Sequence, residues 1–351
     1  VAFTHCNDIA AAVINAGGFA VIGEGRRTPD EIRADVKWMR ERVGSKPFGV
    51  DLLLPASVPP KGTVEELMAQ VPEEHKKFVQ GIKERYNIPD PKSRPEFHKL
   101  QWLSQEGSRR QIDAVLEERV PVFASGLGSP AFVVEAAHAR GIQVWGLVGK
   151  PRQAQREIEA GVDVIIAAGY DAGGHASSIG TFSIVPAVKA IAGDKVVLAA
   201  GGITTGRHLA AALCLGAEGV WTGTLWLACR ESDEEMLNKE MLLAASAEDT
   251  IHSRVLSGFT QRTIKSQWHV EWERPDAPKP LPAPFQFFLS GSIGQAARDY
   301  QIREFISQPA GQGVGFITSM KPARQIVFDM VDEARAVFEE VLGGSTVPAA
   351  G

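Results

Sequence analysis

His175 stands in the run "YDAGGHASSIGTF", Tyr170 to Phe182, between the pair Gly173–Gly174 and a stretch of small residues. An imidazole titrates near neutral pH and can take or give a proton. The flanking glycines let backbone come close to a planar or charged ligand. The small neighbours predict an uncrowded ring, suited to proton transfer beside a bound molecule. A ring satisfied by a local backbone hydrogen bond is the competing account. Two further runs could hold a phosphate. In "AAGGITTGRHLAAAL", Gly201 and Gly202 close an apolar run, and Thr204 or Thr205 can cap a helix that begins near Gly206. Bare N–H groups facing a helix N-terminus bind anions. In "WTGTLWL", Trp221, Thr222, Gly223 and Thr224 bring a second such loop.

Other chemistries find no support. There is no HExxH, no carboxylate cluster with metal-ligand spacing, no GxSxG elbow and no GxxxxGK[ST] loop. His138 and His208 fall on helical patterns and read as surface or packing residues. Trp145 and Trp221 fall at strand ends, where core packing competes with a pocket wall. Cys6, Cys214 and Cys229 are too few for a disulfide framework and form no CxxC pair, so they read as small buried hydrophobes in a reducing cytoplasm.

The elements that position these residues repeat. Gly141 precedes Ile142–Val148, Gly161 precedes Val164–Ala168 and Gly216 precedes Gly219–Thr222. Glycine suits the left-handed cap that closes a helix, and each following run is almost continuously apolar. Such strands are buried on both faces, as in a parallel sheet covered by helices. Phe19–Ile22, Phe48–Leu54, Val122–Ser125 and Val196–Ala200 complete a set of seven. A helix over Asp8–Ala16 precedes the first; with one strand before Val1 the total is eight, the number that closes a (β/α)8 TIM barrel. The fold expectation is therefore α/β, a TIM barrel with an additional, mainly helical segment. In such barrels the site lies at the carboxyl ends of the strands, and phosphate is often held by the loops after strands seven and eight.

Thr28, Pro29 and Glu31 form a helix-start signature. Residues 56–118 exceed what a crossover needs. The helical pattern "TVEELMAQVPEEHKKFVQGIKERY" and the Pro-rich "IPDPKSRPEF" there make a surface excursion or a lid. The expected organisation is a barrel domain over 1–230, a helical segment over 231–320 covering the site, and a C-terminal helix and tail over 321–351.

Of the 351 residues, 44% are hydrophobic and 23% charged, with net charge -5. No basic stripe points to nucleic acid. No apolar run reaches the roughly 18 residues of a membrane span, and no signal peptide is visible. The expected setting is cytoplasmic, and the partner a small molecule.

The segments "NAGGFAVIGEG", "KPFGVDLLLP", "AAGYDAGGHASS", "VVLAAGGITTGRHLAAALCLGAEGVWTGT" and "PAGQGVGFI" together resemble the nitronate monooxygenase family, also called 2-nitropropane dioxygenases. The likeness runs in order from about Asp8 to Ala334, interrupted by 56–118. It implies an FMN-containing TIM barrel that oxidises alkyl nitronates with O2 to a carbonyl compound and nitrite. By motif, His175 is the base toward the carbon acid. Gly173 and Gly174 pass near the flavin ring, and Gly201, Gly202, Gly223 and Thr224 hold the phosphate. Trp221 and Thr222 belong to the same cofactor stretch, and Gln312 in the "AGQ" turn comes near the pocket. Two flavin-contact positions depart from the family pattern: Asp51 where Asn is common, and Ala168 where Gln is common. A carboxylate at Asp51 would repel an anionic reduced ring. An NAD(P)H-dependent FMN reductase acting on a quinone or enoyl thioester is the alternative within the same fold. A non-enzymatic barrel that binds a phosphorylated ligand is the third.

Overall fold

The computed structural model describes residues 6–54, 64–92 and 105–343. Seven strands form one curled parallel sheet: β1 Val21–Gly23, β2 Gly49–Leu53, β3 Val122–Gly126, β4 Gln143–Val148, β5 Val164–Ala168, β7 Val196–Ala200 and β8 Gly219–Trp221. Their spatial order is their chain order, interrupted only by β6, Gly174–His175, which joins a separate sheet. All neighbours in the large sheet are parallel. The architecture is that of a TIM barrel, and all seven expected strands are present. At each edge, β1 and β8 find no partner among the described residues.

Successive strand residues point to opposite faces, and both faces are filled. Phe123, Val144, Ile165 and Val197 face the surrounding helices and belong to the main core. Val21, Ala124, Ile166, Ala200 and Trp221 face inward and form a core of their own. Phe19 stacks on Trp145 at 4.9 Å, and Trp145 meets Trp221 edge-on at 6.4 Å. The two tryptophans therefore plug the barrel. Thr28 and Glu31 close a reciprocal capping box at the start of helix Pro29–Val43, with Thr28 N donating to Glu31 Oε2 at 2.8 Å. Such a cap contributes about 0.5–2 kcal/mol.

The excursion is less loose than a surface insertion. Helices Val64–Ala69, Glu73–Arg85 and Gln105–Glu117 lie within it. Val79, Ile82 and Ile88 pack with Trp268, Trp272, Ile293 and Phe305 from the later segment, building a second hydrophobic core. The end of the Pro-rich run, from residue 93 onward, lies outside the described residues.

The 231–320 segment is mainly helical, with a short antiparallel pair of strands that the sequence did not announce. Besides helices such as Phe285–Asp299 it carries β9, Thr250–Ser253, and β10, Gln261–Ile264, an antiparallel pair that adds β6 to make a three-stranded sheet. "TIHS" and "QRTI" are too short and too polar to announce strands by alternation; their pairing partner is a glycine-rich loop about ninety residues upstream. Helix Ala323–Gly343 returns to the barrel and lies along helix Gly206–Cys214. No cysteine is in a disulfide; Cys6 and Cys229 are buried, while Cys214, expected to be buried, is exposed. Among the described residues no helix is long and apolar enough to cross a membrane.

Candidate active site

Four backbone segments meet at the carboxyl end of the sheet: the loops after β5, β7 and β8, and the turn Ala310–Gly313. They meet closely because glycines remove the side chains between them. A Cβ on Gly173 would stand 2.7 Å from the backbone of Ala310 and Gly311, and one on Gly313 would stand 2.5 Å from Gly202 O. Asp171 ties the junction. Its Oδ2 accepts from Thr181 N at 2.7 Å, at the start of helix Thr181–Ala192, and its carbonyl accepts from Gln312 N at 2.9 Å. Thr224 Oγ1 accepts from Gly311 N at 3.0 Å. The "AGQ" turn is thus joined to the His175 loop, as Gln312 suggested. Gly173, by contrast, is small because of the neighbouring chain, so its glycine needs no ligand to explain it.

The other site glycines divide in the same way. Gly201 has φ +109° and a Cβ there would meet Thr181 Oγ1 at 2.7 Å; Gly202 has φ +70° with Asp171 Cβ at 3.1 Å. Both backbone shapes favour glycine. At Gly174 and Gly223 an added Cβ would meet no protein atom within 4 Å. Open space therefore lies over those two residues. Among the described residues, no acceptor takes the backbone N–H groups of Gly202, Gly223 and Thr224. Thr222 is engaged from one side, its Oγ1 accepting from Trp226 Nε1 at 3.0 Å. Unpaired N–H groups bordering open space are the donor set an anionic group requires.

The helix at Gly206 does not add to that set. Thr205 caps it, accepting from His208 N at 3.3 Å, and Glu333 Oε2 accepts from Gly206 N at 2.7 Å. A carboxylate of the returning helix already occupies the N-terminus, so the expected cradle is narrower than "GGITTG" suggested. Nothing local announces a partner more than a hundred residues away. His138, the other histidine set aside, bonds Asp163 at 2.9 Å.

His175 is held in β6 opposite Gln261 of β10. Its ring meets Phe259 edge-on at 5.6 Å. This corrects the expectation of an uncrowded imidazole: the residue is half-buried, and Nε2 is fully enclosed with no hydrogen-bond partner among the described residues. Burial disfavours the imidazolium and lowers the pKa to about 4. The ring is neutral at physiological pH, with one nitrogen uncommitted.

Behind that sheet, and unforeseen from sequence, Arg262 is 2% exposed. It lies over the Tyr170 ring at 4.4 Å and its Nε donates to Tyr170 O at 3.1 Å. As the partner of Gly174 in the ladder, it staples β10 to the loop that carries His175. One arginine among many in a polar strand gives no sequence signal of this kind.

Within the sheet, Asp51 is level with Gly23, the last residue of β1, and is 2% exposed. Burial raises its carboxyl to about 7. Ala168 ends β5, pairs with Ala200 and joins the apolar inner face. An open groove of about 810 Å³ lined by Lys92, Glu235, Arg298 and Tyr300 includes none of these residues. Among the described residues no cluster could hold a metal ion.

The whole arrangement, from barrel to returning helix, matches one family model, nitronate monooxygenase, over residues 3–333. The chain belongs to the nitronate monooxygenase family. It is similar to Rv1533 of Mycobacterium tuberculosis, which is named as a monooxygenase, with 39% identity covering 95% of this chain and 92% of that protein. It is 25% identical to a Staphylococcus aureus protein named nitronate monooxygenase, covering 94% and 91%. Among solved structures, nitroalkane oxidase from Streptomyces ansochromogenes superposes with TM-score 0.80 at 26% identity, covering 95% and 94%. FabK from Thermotoga maritima superposes with TM-score 0.74 at 27% identity, covering 97% and 92%. Membership in the nitronate monooxygenase family makes this chain a flavin-dependent oxidoreductase.

Proposed function

We propose that the chain binds FMN and oxidises alkyl nitronates with O2, giving a carbonyl compound and nitrite. One observation carries the reading: a neutral imidazole with an enclosed, unpartnered nitrogen stands next to Gly174, over which space is open, at the carboxyl end of the barrel. The phosphate would be held by the backbone of Gly202, Gly223 and Thr224, with Gly201 shaping the turn. The ring would lie toward Gly174, Asp51 and Ala168. Gly173, Trp221 and Thr222 act from behind, by close packing. The bound flavin supplies electron acceptance and reaction with O2.

The protein's own part is positional and protonic. Arg262 and Gln261 fix the His175 strand. Phe259 packs edge-on against the imidazole. In this reading the imidazole accepts the α-proton of a neutral nitroalkane. A group of pKa about 4 is a weak base for that task near neutrality. The preformed nitronate, which needs no proton removed, is therefore the better substrate. The test is nitrite release by FMN-loaded protein given either form. Faster turnover of the nitronate supports the reading; no nitrite from either form defeats it.

The likeness to FabK, at an identity close to that of the nitroalkane oxidase, supports one other reading. In it, NAD(P)H reduces the flavin and a quinone or enoyl thioester is the acceptor. Rapid anaerobic bleaching of the flavin by NADH or NADPH would select it.

A further inference from the structure

The inner face of the sheet is mostly apolar, and only one of its residues is ionisable. Asp51 pairs across the ladder with Gly23 and Ala124, and Ala124 belongs to the inward-facing core, so the carboxyl points into the barrel. No other ionisable residue of the seven strands faces that way. Oδ1 is enclosed and has no hydrogen-bond partner among the described residues.

Among the described residues, no cation faces Asp51 from the elements around it. From β1, Gly23 has no side chain, and Glu24 alternates to the outer face, near Asp35 and Arg27. From β3 the neighbour is Ala124. Across the barrel stand Trp145, Ile166, Ala168 and Ala200. At the mouth, His175 is neutral. Among the described residues such a carboxylate meets neither solvent nor a counter-charge, and the protonated acid costs less to bury.

We propose that Asp51 keeps its proton when the flavin binds and presents it to the ring as a hydrogen-bond donor, so that cofactor capture is coupled to protonation. The inference rests on the FMN-binding reading given above and deepens it. A flavin ring offers carbonyl oxygens and ring nitrogens as acceptors. A neutral acid can donate to them, and it does not repel the electron-rich reduced ring as a carboxylate would. Binding then favours the protonated protein. Affinity falls with rising pH once free Asp51 ionises, a group that in the free protein titrates at about 7.

The experiment is a titration of flavin-free protein with FMN, read by quenching of flavin fluorescence, at pH 7.0 and 8.5. Above pH 7 the FMN phosphate, whose second pKa is about 6, is already a dianion and adds little slope. Wild type is expected to bind about tenfold more weakly at pH 8.5, and Asp51→Asn to be independent of pH. Calorimetry of wild type at pH 7.5, in two buffers of different ionisation enthalpy, should show proton uptake, and decides the matter without the variant should Asp51→Asn not fold. PH-independent binding without proton uptake, or tighter binding at pH 8.5, would overturn the inference while leaving the FMN reading intact. Absence of FMN binding at either pH would overturn both.

Discussion

At the scale of single residues, His175 and Asp51 are the two groups of the candidate site whose surroundings are set against their ordinary charge. His175 was legible as a functional candidate because of the glycines beside it. Its neutrality was not, because Phe259 and β10 arrive from a segment with no local relation to it. Since its folded pKa of about 4 lies below the usual 6.5, the ring remains a base well into acid. The rate of nitroalkane oxidation should therefore hold from pH 8 down to about 5, and not fall through 6.5. A pH profile of kcat/KM with an acid limb near 6.5 would contradict this. His175→Ala should lower turnover of neutral nitroalkane by about a hundredfold or more, the usual size of general-base catalysis, and affect the preformed nitronate much less. Equal losses on both substrates would assign His175 to binding and not to proton transfer.

At the scale of elements, the repeated glycine-then-apolar unit made the seven parallel strands readable. Each strand is covered on one face by helices adjacent in sequence and on the other by the barrel's own inner core, so its run reads as continuously apolar. The antiparallel sheet of β6, β9 and β10 was not readable, since its strands are short, polar and paired across distant segments. The same limit hid Glu333 on Gly206 and the second core shared by the excursion and the later helices. Glycine substitutions separate ligand space from backbone need. Gly223 has φ -126° and open space around it, so Gly223→Ala should leave the melting temperature unchanged while weakening FMN binding. Gly201, at φ +109° against Thr181, should lose about 1–3 kcal/mol of stability as Ala, apart from any effect on the flavin. Paired melting curves and FMN titrations distinguish the two. A stable Gly223→Ala protein with undiminished affinity would remove that residue from the proposed cradle.

At the scale of the whole molecule, buried ionisable groups set a pH window. Glu24 and Glu157 are raised to about 8, chiefly by burial. Each holds its proton in the folded chain above its unfolded value of 4.5. The stability this gives is complete below 4.5 and is lost as pH rises through 8. His175 and His269, lowered to about 4 by burial, act oppositely. Their contribution is complete above 6.5 and is lost as pH falls through 4. Glu157 tests the window cleanly, because it packs outside the sheet over Gly146, where a Cβ would stand 2.7 Å from its carboxyl carbon. Glu157→Gln should raise the melting temperature at pH 8.5 relative to wild type and change it little at pH 5. A pH-independent difference would show that the carboxyl is not held neutral.

The most direct test of the central claim is an anaerobic visible spectrum of the FMN-loaded protein, mixed in turn with an alkyl nitronate and with NADPH or NADH. Rapid loss of the oxidised flavin band with the nitronate, and its persistence with the nicotinamides, is the result expected of a nitronate oxidase. Bleaching by a nicotinamide with no response to the nitronate would contradict it and make the protein a reductase on the same barrel.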